Sequence, residues 1–290
     1  MGSKEFDDVI REFYSTKGSE FCALKIDKSM KFVQNRAGIL GLKLVPGLKS
    51  QLCSKPRKPY NIKYKIDHNK IINPDSLEAC YLLGILWGDG YIARDRSYNK
   101  VILRLVAEDF IKIKYIFDYF GLWARNNRKA YENHKEQLGV STSNKPLFLF
   151  LEENDYLIKS IASPTKILSL IPNDLKYMWW RGYSDADGCF THSSNLRYKN
   201  YNLAGRYDAD WKSSEEIFQK LNCNYKIILK VTKSKYNNKD HRSSTVNLWS
   251  NKSLINWINF IYPNIEYDNF GLERKFDKAC NIRNYIINKL

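Results

Sequence analysis

Two carboxylates, Asp89 and Asp187, stand at matched places in two related stretches of a 290-residue chain. Ala79–Ile92 reads ACYLLGILWGDGYI and Tyr177–Phe190 reads YMWWRGYSDADGCF. Aligned, Gly84 matches Gly182, Gly88 matches Ala186, Asp89 matches Asp187 and Gly90 matches Gly188. Small residues four apart share one helix face. With no bulky side chains on that face, two backbones can approach closely. Each stretch is expected to form a helix that stops at its Asp-Gly pair and feeds a strand. Packed side by side, the two helices bring Asp89 and Asp187 together at their lower ends. Helix C-termini carry partial negative charge, and neighbouring like charges resist joint ionisation. A divalent cation resolves that conflict. Two acidic groups converging on hard metal ions suit in-line phosphodiester hydrolysis.

These segments resemble the paired motifs of the LAGLIDADG homing endonucleases in their single-chain, two-repeat form. The second copy, Trp180 to Gly188, matches at its Gly and Asp-Ala-Asp-Gly positions. The first, Leu82 to Gly90, keeps the Gly, the last Asp and the final Gly, but has Trp87 where the pattern has its earlier Asp. That earlier Asp is not the family's metal ligand. The resemblance covers roughly residues 75–290. It implies an α+β fold of two pseudo-symmetric αββαββα repeats with saddle-shaped antiparallel sheets lying in the DNA major groove. It also implies Asp89 and Asp187 as catalytic metal ligands for Mg²⁺, with Mn²⁺ as a substitute. The carbonyls of Gly88 and Ala186 are further candidate ligands. Lys275 falls where the family often places a central basic residue, and Lys166 is its weaker counterpart. Either lysine could equally be a phosphate clamp or a surface residue. The activity implied is a double-strand break with short 3′ overhangs.

Composition is consistent with that reading. A formal charge of +16 with 14% aromatic residues suggests a polyanion partner, most often nucleic acid. No amphipathic basic helix or lipidation signal supports an anionic-lipid binder. The uninterrupted apolar run in the first motif is about ten residues, against the ~20 that a bilayer requires. The beginning, Met1 to Phe6, has no apolar signal-peptide core, so an intracellular, non-secreted protein is expected. The settings considered are a bacterial or phage-infected cytoplasm, or an organelle. Six scattered cysteines without a C-x-x-C pair read as reduced and not zinc-binding.

Residues 1–45 read as a small all-α helix-turn-helix domain. Val9, Ile10, Phe13 and Tyr14 have helical spacing, Lys17-Gly18-Ser19 breaks the helix, and Asp27-Lys28-Ser29 makes a tight turn. The following helix buries Phe32, Val33, Ala37, Leu40 and Leu42 and offers Lys31, Gln34, Asn35 and Arg36 on its polar face. The last three are residue types that reach base edges. A plain three-helix packing module is the alternative. Residues 46–74 read as a basic linker, in which Arg57 and Lys58 among prolines could track phosphates or simply be solvated.

The first repeat is assigned to 75–172 and the second to 173–290. In Tyr98–Ala107, Val101, Leu103 and Leu105 alternate with Lys100, Ile102 and Arg104. Candidate DNA contacts in the first half are Arg94, Arg96, Arg104, Arg125, Arg128 and Lys129. In the second half they are Arg197, Lys199, Arg206, Lys230, Lys233, Lys235 and Arg242. Because the halves differ, a monomer with a long, non-palindromic double-stranded DNA target is expected. Two alternatives use the same scaffold: an RNA maturase assisting splicing of its intron, and a catalytically silent DNA-binding regulator.

Overall fold

The computed structural model describes residues 3–46, 65–94, 99–121, 123–129, 135–194, 196–233, 240–263 and 270–289. Of the candidate contacts, Arg57, Lys58, Arg96 and Lys235 lie outside the described residues. The chain divides into two compact units, Met1–Lys63 and Tyr64–Leu290.

In the first unit α1 (Ser3–Ile26) is interrupted at Gly18, whose φ of 81° a side chain would resist. After a turn with Asp27 at φ 52°, α2 (Met30–Ile39) begins on Ser29. The Ser29 hydroxyl accepts from the Phe32 N–H at 3.2 Å, satisfying an otherwise orphaned donor. Ile10, Cys22, Ala23, Ile26, Val33 and Ala37 form the core. Phe32, expected inside, is 39% exposed; it packs edge-on against Phe6 instead.

The second unit begins earlier than the expected repeat boundary. Ile66 and Ile71, in the stretch read as linker, are buried in the main core. Ile66 bridges to Gly121, and α3 (Asn69–Ile72) follows. The pattern αββαββα then runs twice, with a further short helix between the copies. The first copy is α4 (Leu77–Gly88), β1 (Tyr91–Arg94), β2 (Asn99–Val106), α5 (Ala107–Tyr119), β3 (Ala124–Arg128), β4 (Gln137–Thr142) and α6 (Lys145–Glu153). After α7 (Thr165–Leu170) come α8 (Lys176–Asp187), β5 (Gly188–His192), β6 (Lys199–Arg206), α9 (Lys212–Lys220), β7 (Tyr225–Lys233), β8 (Asp240–Leu248) and α10 (Asn251–Ile261). α11 (Glu273–Ile287) is the last helix described. Each copy folds into a four-stranded antiparallel sheet, ordered β1-β2-β4-β3 and β5-β6-β8-β7.

The two sheets share one hydrophobic core, in which α4 and α8 are the central pair. Ala79 through Trp87 of α4 are all buried, as expected of a helix that is apolar all round. Backbone contact decides the glycines. A Cβ on Gly84 would overlap the Trp179 carbonyl, and one on Gly182 would overlap the Tyr81 carbonyl. Ser76 caps α4 by accepting from the Ala79 N–H at 3.2 Å. No described helix is long and apolar enough to cross a membrane.

Candidate active site

Both motif helices end where their acids begin. Asp89 is the C-cap of α4; Asp187 is the last residue of α8, and Gly188 opens β5 directly. Close packing carries the helices to those ends, for a Cβ on Gly88 would strike the Ala186 methyl. It would also lie 3.2 Å from Asp187 Oδ2, so the Asp187 carboxyl reaches over the end of α4. Burial first, and then the Asp89 charge, push the Asp187 carboxyl up to about 6. Asp89 keeps exposed surface, yet the protein crowded around its carboxyl still raises its pKa.

Two ammonium groups moderate this repulsion. Lys275, 8% exposed, donates to the Gly188 carbonyl from the first turn of α11. Burial lowers its pKa. Lys159 comes from the turn-rich segment after α6 and donates to the carbonyls of Leu86, at 3.1 Å, and of Gly88. Burial lowers it to about 8, against the opposing pull of Asp187 and Asp89. Its segment is fastened by Tyr156, whose hydroxyl donates to Leu83 O at 2.9 Å and whose ring meets Trp87 edge-on.

Lys159 is the residue that sequence reasoning missed. Lys166, the weaker counterpart of Lys275 with a surface position as one alternative, is exposed and ion-paired with Asp155 at 2.7 Å. The reason is local: Lys166 lies on the outer side of α7, whose buried residue is Ile167. The Gly88 carbonyl, a candidate ligand, already accepts from Lys159, although a carbonyl has a second lone pair. Among the described residues no cluster of three or more His, Cys, Asp or Glu could hold a metal. Among the described residues, the acids at the two motif-helix ends are Asp89 and Asp187. As hard oxygen donors beside backbone carbonyls, these residues fit Mg²⁺.

Strand register sorts the candidate DNA contacts. Residues paired across antiparallel strands share a face. Leu103 and Val140 define the helix-covered face of the first sheet, and Leu203 and Val246 that of the second. Arg104 pairs with Gly139 and Arg128 with Gln137, out of phase with that core, so both occupy the opposite, outer face. Arg206 and Lys230, both opposite Ser243, likewise lie on the outer face. Ile102 has the same phase and is nevertheless buried.

Three candidates face the helices instead. Arg94 shares the phase of Ile92 and is paired with Glu152 of α6 at 2.5 Å. Arg125 pairs with Val140 across the ladder and with Asp118 of α5 at 2.7 Å. Lys199 lies over the Tyr285 ring of α11. Lys233 and Arg242 have the helix-side phase but extend past the core at the outer end of their hairpin. Lys129 is exposed just beyond β3, and Arg197 lies between β5 and β6. In the first unit Lys31, Gln34 and Asn35 are exposed; Gln34 donates to Ser19 Oγ at 3.3 Å. Arg36 instead forks onto Asp7, at 2.5 and 2.6 Å.

Three outer-face polar atoms are buried with no hydrogen-bond partner among the described residues: Asn126 Nδ2, Thr245 Oγ1 and Asn247 Oδ1. Together with the basic residues they form two polar sheet faces, each joined directly to a motif helix and its acid.

The fold and site thus define a two-sheet α+β protein with an acidic pair at a helix seam and basic groups around it. No family model matches the chain. An uncharacterised protein of Methanocaldococcus jannaschii, MJ0314, is 27% identical over 154 residues, 48% of this chain and 52% of that protein. The chain therefore spans about half the length of the curated relative it matches. Among solved structures, the homing endonuclease I-WcaI bound to its DNA recognition sequence is 17% identical, covering 70% of this chain and 85% of that one, with a TM-score of 0.46. I-SmaMI bound to uncleaved DNA target in the presence of calcium ions is 12% identical, with coverages of 72% and 92% and a TM-score of 0.43. A mesophilic variant of the homing endonuclease I-DmoI is 16% identical, with coverages of 65% and 96% and a TM-score of 0.42.

Proposed function

We propose that this chain is a site-specific, metal-dependent DNA endonuclease of the homing type. It would break both strands of a long asymmetric target and leave short 3′ overhangs. The observation that carries the reading is the convergence of Asp89 and Asp187 at adjoining helix ends. A purely structural seam gains nothing from juxtaposing two carboxylates there. Burial and mutual repulsion, which raise the Asp187 pKa to about 6, make the pair costly unless a cation or a reaction employs it.

Asp89 and Asp187 would hold Mg²⁺, with Mn²⁺ able to replace it, and the Ala186 and Gly88 carbonyls as additional oxygen donors. When bound, the ion supplies positive charge that activates water and stabilises the phosphorane-like transition state and the leaving 3′ oxygen. The chain's own residues bind and position the target. Arg104, Arg128, Arg206 and Lys230 on the outer faces contact phosphates and base edges. Lys159 and Lys275 both act electrostatically on the two acids and are held by the carbonyls of Leu86 and Gly88 and of Gly188. Their ammonium groups can neutralise charge developing on the scissile phosphates. Lys159, with a pKa of about 8, can also exchange a proton near neutral pH. In the first unit, Lys31, Gln34 and Asn35 would extend the footprint on DNA.

The test is a cleavage selection. Purified protein is incubated with Mg²⁺ and a complex DNA library, and the new ends are sequenced. A recurrent asymmetric site with short 3′ overhangs, lost in the Asp187→Asn protein, is the expected result. No ends above background, with tight binding to duplex DNA or to structured RNA retained, would replace this reading with a regulator or a maturase.

A further inference from the structure

Asp185, two positions before the acid of the second motif, is 2% exposed and takes no place in the chemistry above. Its Oδ2 accepts from the Tyr81 hydroxyl of α4 at 2.7 Å and from the Leu272 N–H at 2.9 Å, and Tyr262 OH approaches Oδ1 at 3.4 Å. Leu272 is the N-cap of α11, whose own side chain supplies no cap. A buried carboxylate at a helix N-terminus satisfies an orphan donor and opposes the positive end of the dipole.

The neighbouring residues of α11 are anchored in turn. Glu273 receives Lys112 of α5 at 2.8 Å. Arg274 forks onto Asp109 of α5 at 2.7 and 2.5 Å. Lys275 donates to the Gly188 carbonyl, beside Asp187. Four consecutive residues are thus tied to α8, to α5 of the other repeat and to β5. Among the described residues, the first half is fastened differently. Trp87 replaces the equivalent acid, and Lys159 rides on a turn-rich segment held by Trp87–Tyr156 ring packing, the neutral Tyr156–Leu83 hydrogen bond, the exposed Asp155–Lys166 ion pair and a bond from Arg206 to Ser160 Oγ at 3.4 Å, with no buried carboxylate among these contacts.

Resting on the endonuclease reading, we infer that Asp185 is a positioning residue for Lys275: it fixes the start of α11, so that the two halves of the site are set by different devices and fail independently. Loss of the Asp185 carboxylate then impairs one strand's cleavage while sparing the other. The affected strand is the one that depends on Lys275, and the spared strand is the one that depends on Lys159.

The experiment uses the full chain and a target duplex carrying a different 5′ label on each strand, with the rate constant for each strand measured at saturating protein. The wild-type protein, Lys275→Ala and Lys159→Ala first identify which strand each lysine serves. Asp185→Asn is expected to slow the Lys275-dependent strand by about tenfold or more, in keeping with the cost of a misplaced catalytic group, so that nicked DNA accumulates. Tyr81→Phe, which removes one donor to Asp185, should slow the same strand less. In the Lys275→Ala background Asp185→Asn should change neither strand by more than about twofold, because its effect passes through Lys275. Equal slowing of both strands, slowing of the Lys159-dependent strand, or full additivity with Lys275→Ala would overturn the inference. If Asp185→Asn does not fold, Tyr81→Phe carries the same strand test. Absence of cleavage by the wild-type protein is a different result, and counts against the endonuclease reading itself.

Discussion

Gly84 and Gly182 each lie against the backbone of the opposing motif helix, Gly84 at the Trp179 carbonyl and Gly182 at the Tyr81 carbonyl. The obstacles are main-chain oxygens, which cannot swing aside like the end of a side chain. Gly182→Ala is therefore expected to destabilise the second unit by roughly 2–3 kcal/mol or to force the helices apart. Chemical denaturation measures the loss. Cleavage should fall further than stability does, because the spacing of Asp89 and Asp187 depends on the same packing. An alanine variant of unchanged stability would contradict the close approach of the helices.

Protonation of Asp187 gives a prediction with a defined direction. Its pKa rises from 3.8 to about 6, so the folded chain binds this proton more tightly than the unfolded chain does. Stability from this group is consequently full below about pH 4 and is lost as pH rises towards 6. Asp187→Asn should raise the melting temperature above pH 6, by an amount equivalent to at most ~3 kcal/mol, and leave it unchanged at pH 3.5. Cleavage should show the reverse dependence, falling as pH drops below 6, since the ionised carboxylate is the form that holds a cation. Melting curves across pH 3.5–8, without added metal, supply the first readout.

The two lysines are separable. Lys159→Met removes a half-buried ammonium facing both acids and should reduce cleavage by about a hundredfold or more while DNA affinity changes little. Lys166→Met breaks an exposed ion pair with Asp155 and should cost no more than ~1 kcal/mol of stability, with cleavage unaffected. Single-turnover rates at saturating protein distinguish them. The opposite ranking would return the role to Lys166.

Sheet phase makes a further distinction. Arg104→Ala and Arg206→Ala, on the outer faces, should each weaken target binding. Each should also reduce the dependence of log K on log salt by roughly one for every phosphate left without its cation. Arg94→Ala lies on the helix side, bound to Glu152, and should leave the salt dependence unchanged. Equilibrium binding titrated from low to moderate salt measures the slopes. An Arg94 effect equal to that of Arg104 would place DNA on the wrong face.

Much of this arrangement is legible in the sequence, for identifiable reasons. The motif helices repeat, so Gly84, Gly182, Asp89 and Asp187 announce one another. Val101, Leu103 and Leu105 alternate cleanly, and the sheet follows. The phase of Arg94 is also readable, because it continues the alternation from Ile92. Other features have no local pattern. Lys159 sits in a segment without helical or strand periodicity and gains its place from tertiary contacts such as the Tyr156 anchor. Ile66 and Ile71 lie too close to a basic, proline-rich run for their burial to show. The Arg36–Asp7 fork joins residues of different helices, and only the folded unit brings them together.

The most direct test of the central claim is the metal dependence of strand cutting by the wild-type, Asp89→Asn and Asp187→Asn proteins on the selected target, with DNA affinity measured in parallel. The account predicts that the wild-type protein linearises supercoiled target only with Mg²⁺ or Mn²⁺. Each single variant should bind DNA with near wild-type affinity and lose linearisation by at least about a hundredfold. Linearisation that persists in either variant, or that proceeds in excess chelator, would contradict the assignment of Asp89 and Asp187 as the paired ligands of a metal-dependent nuclease.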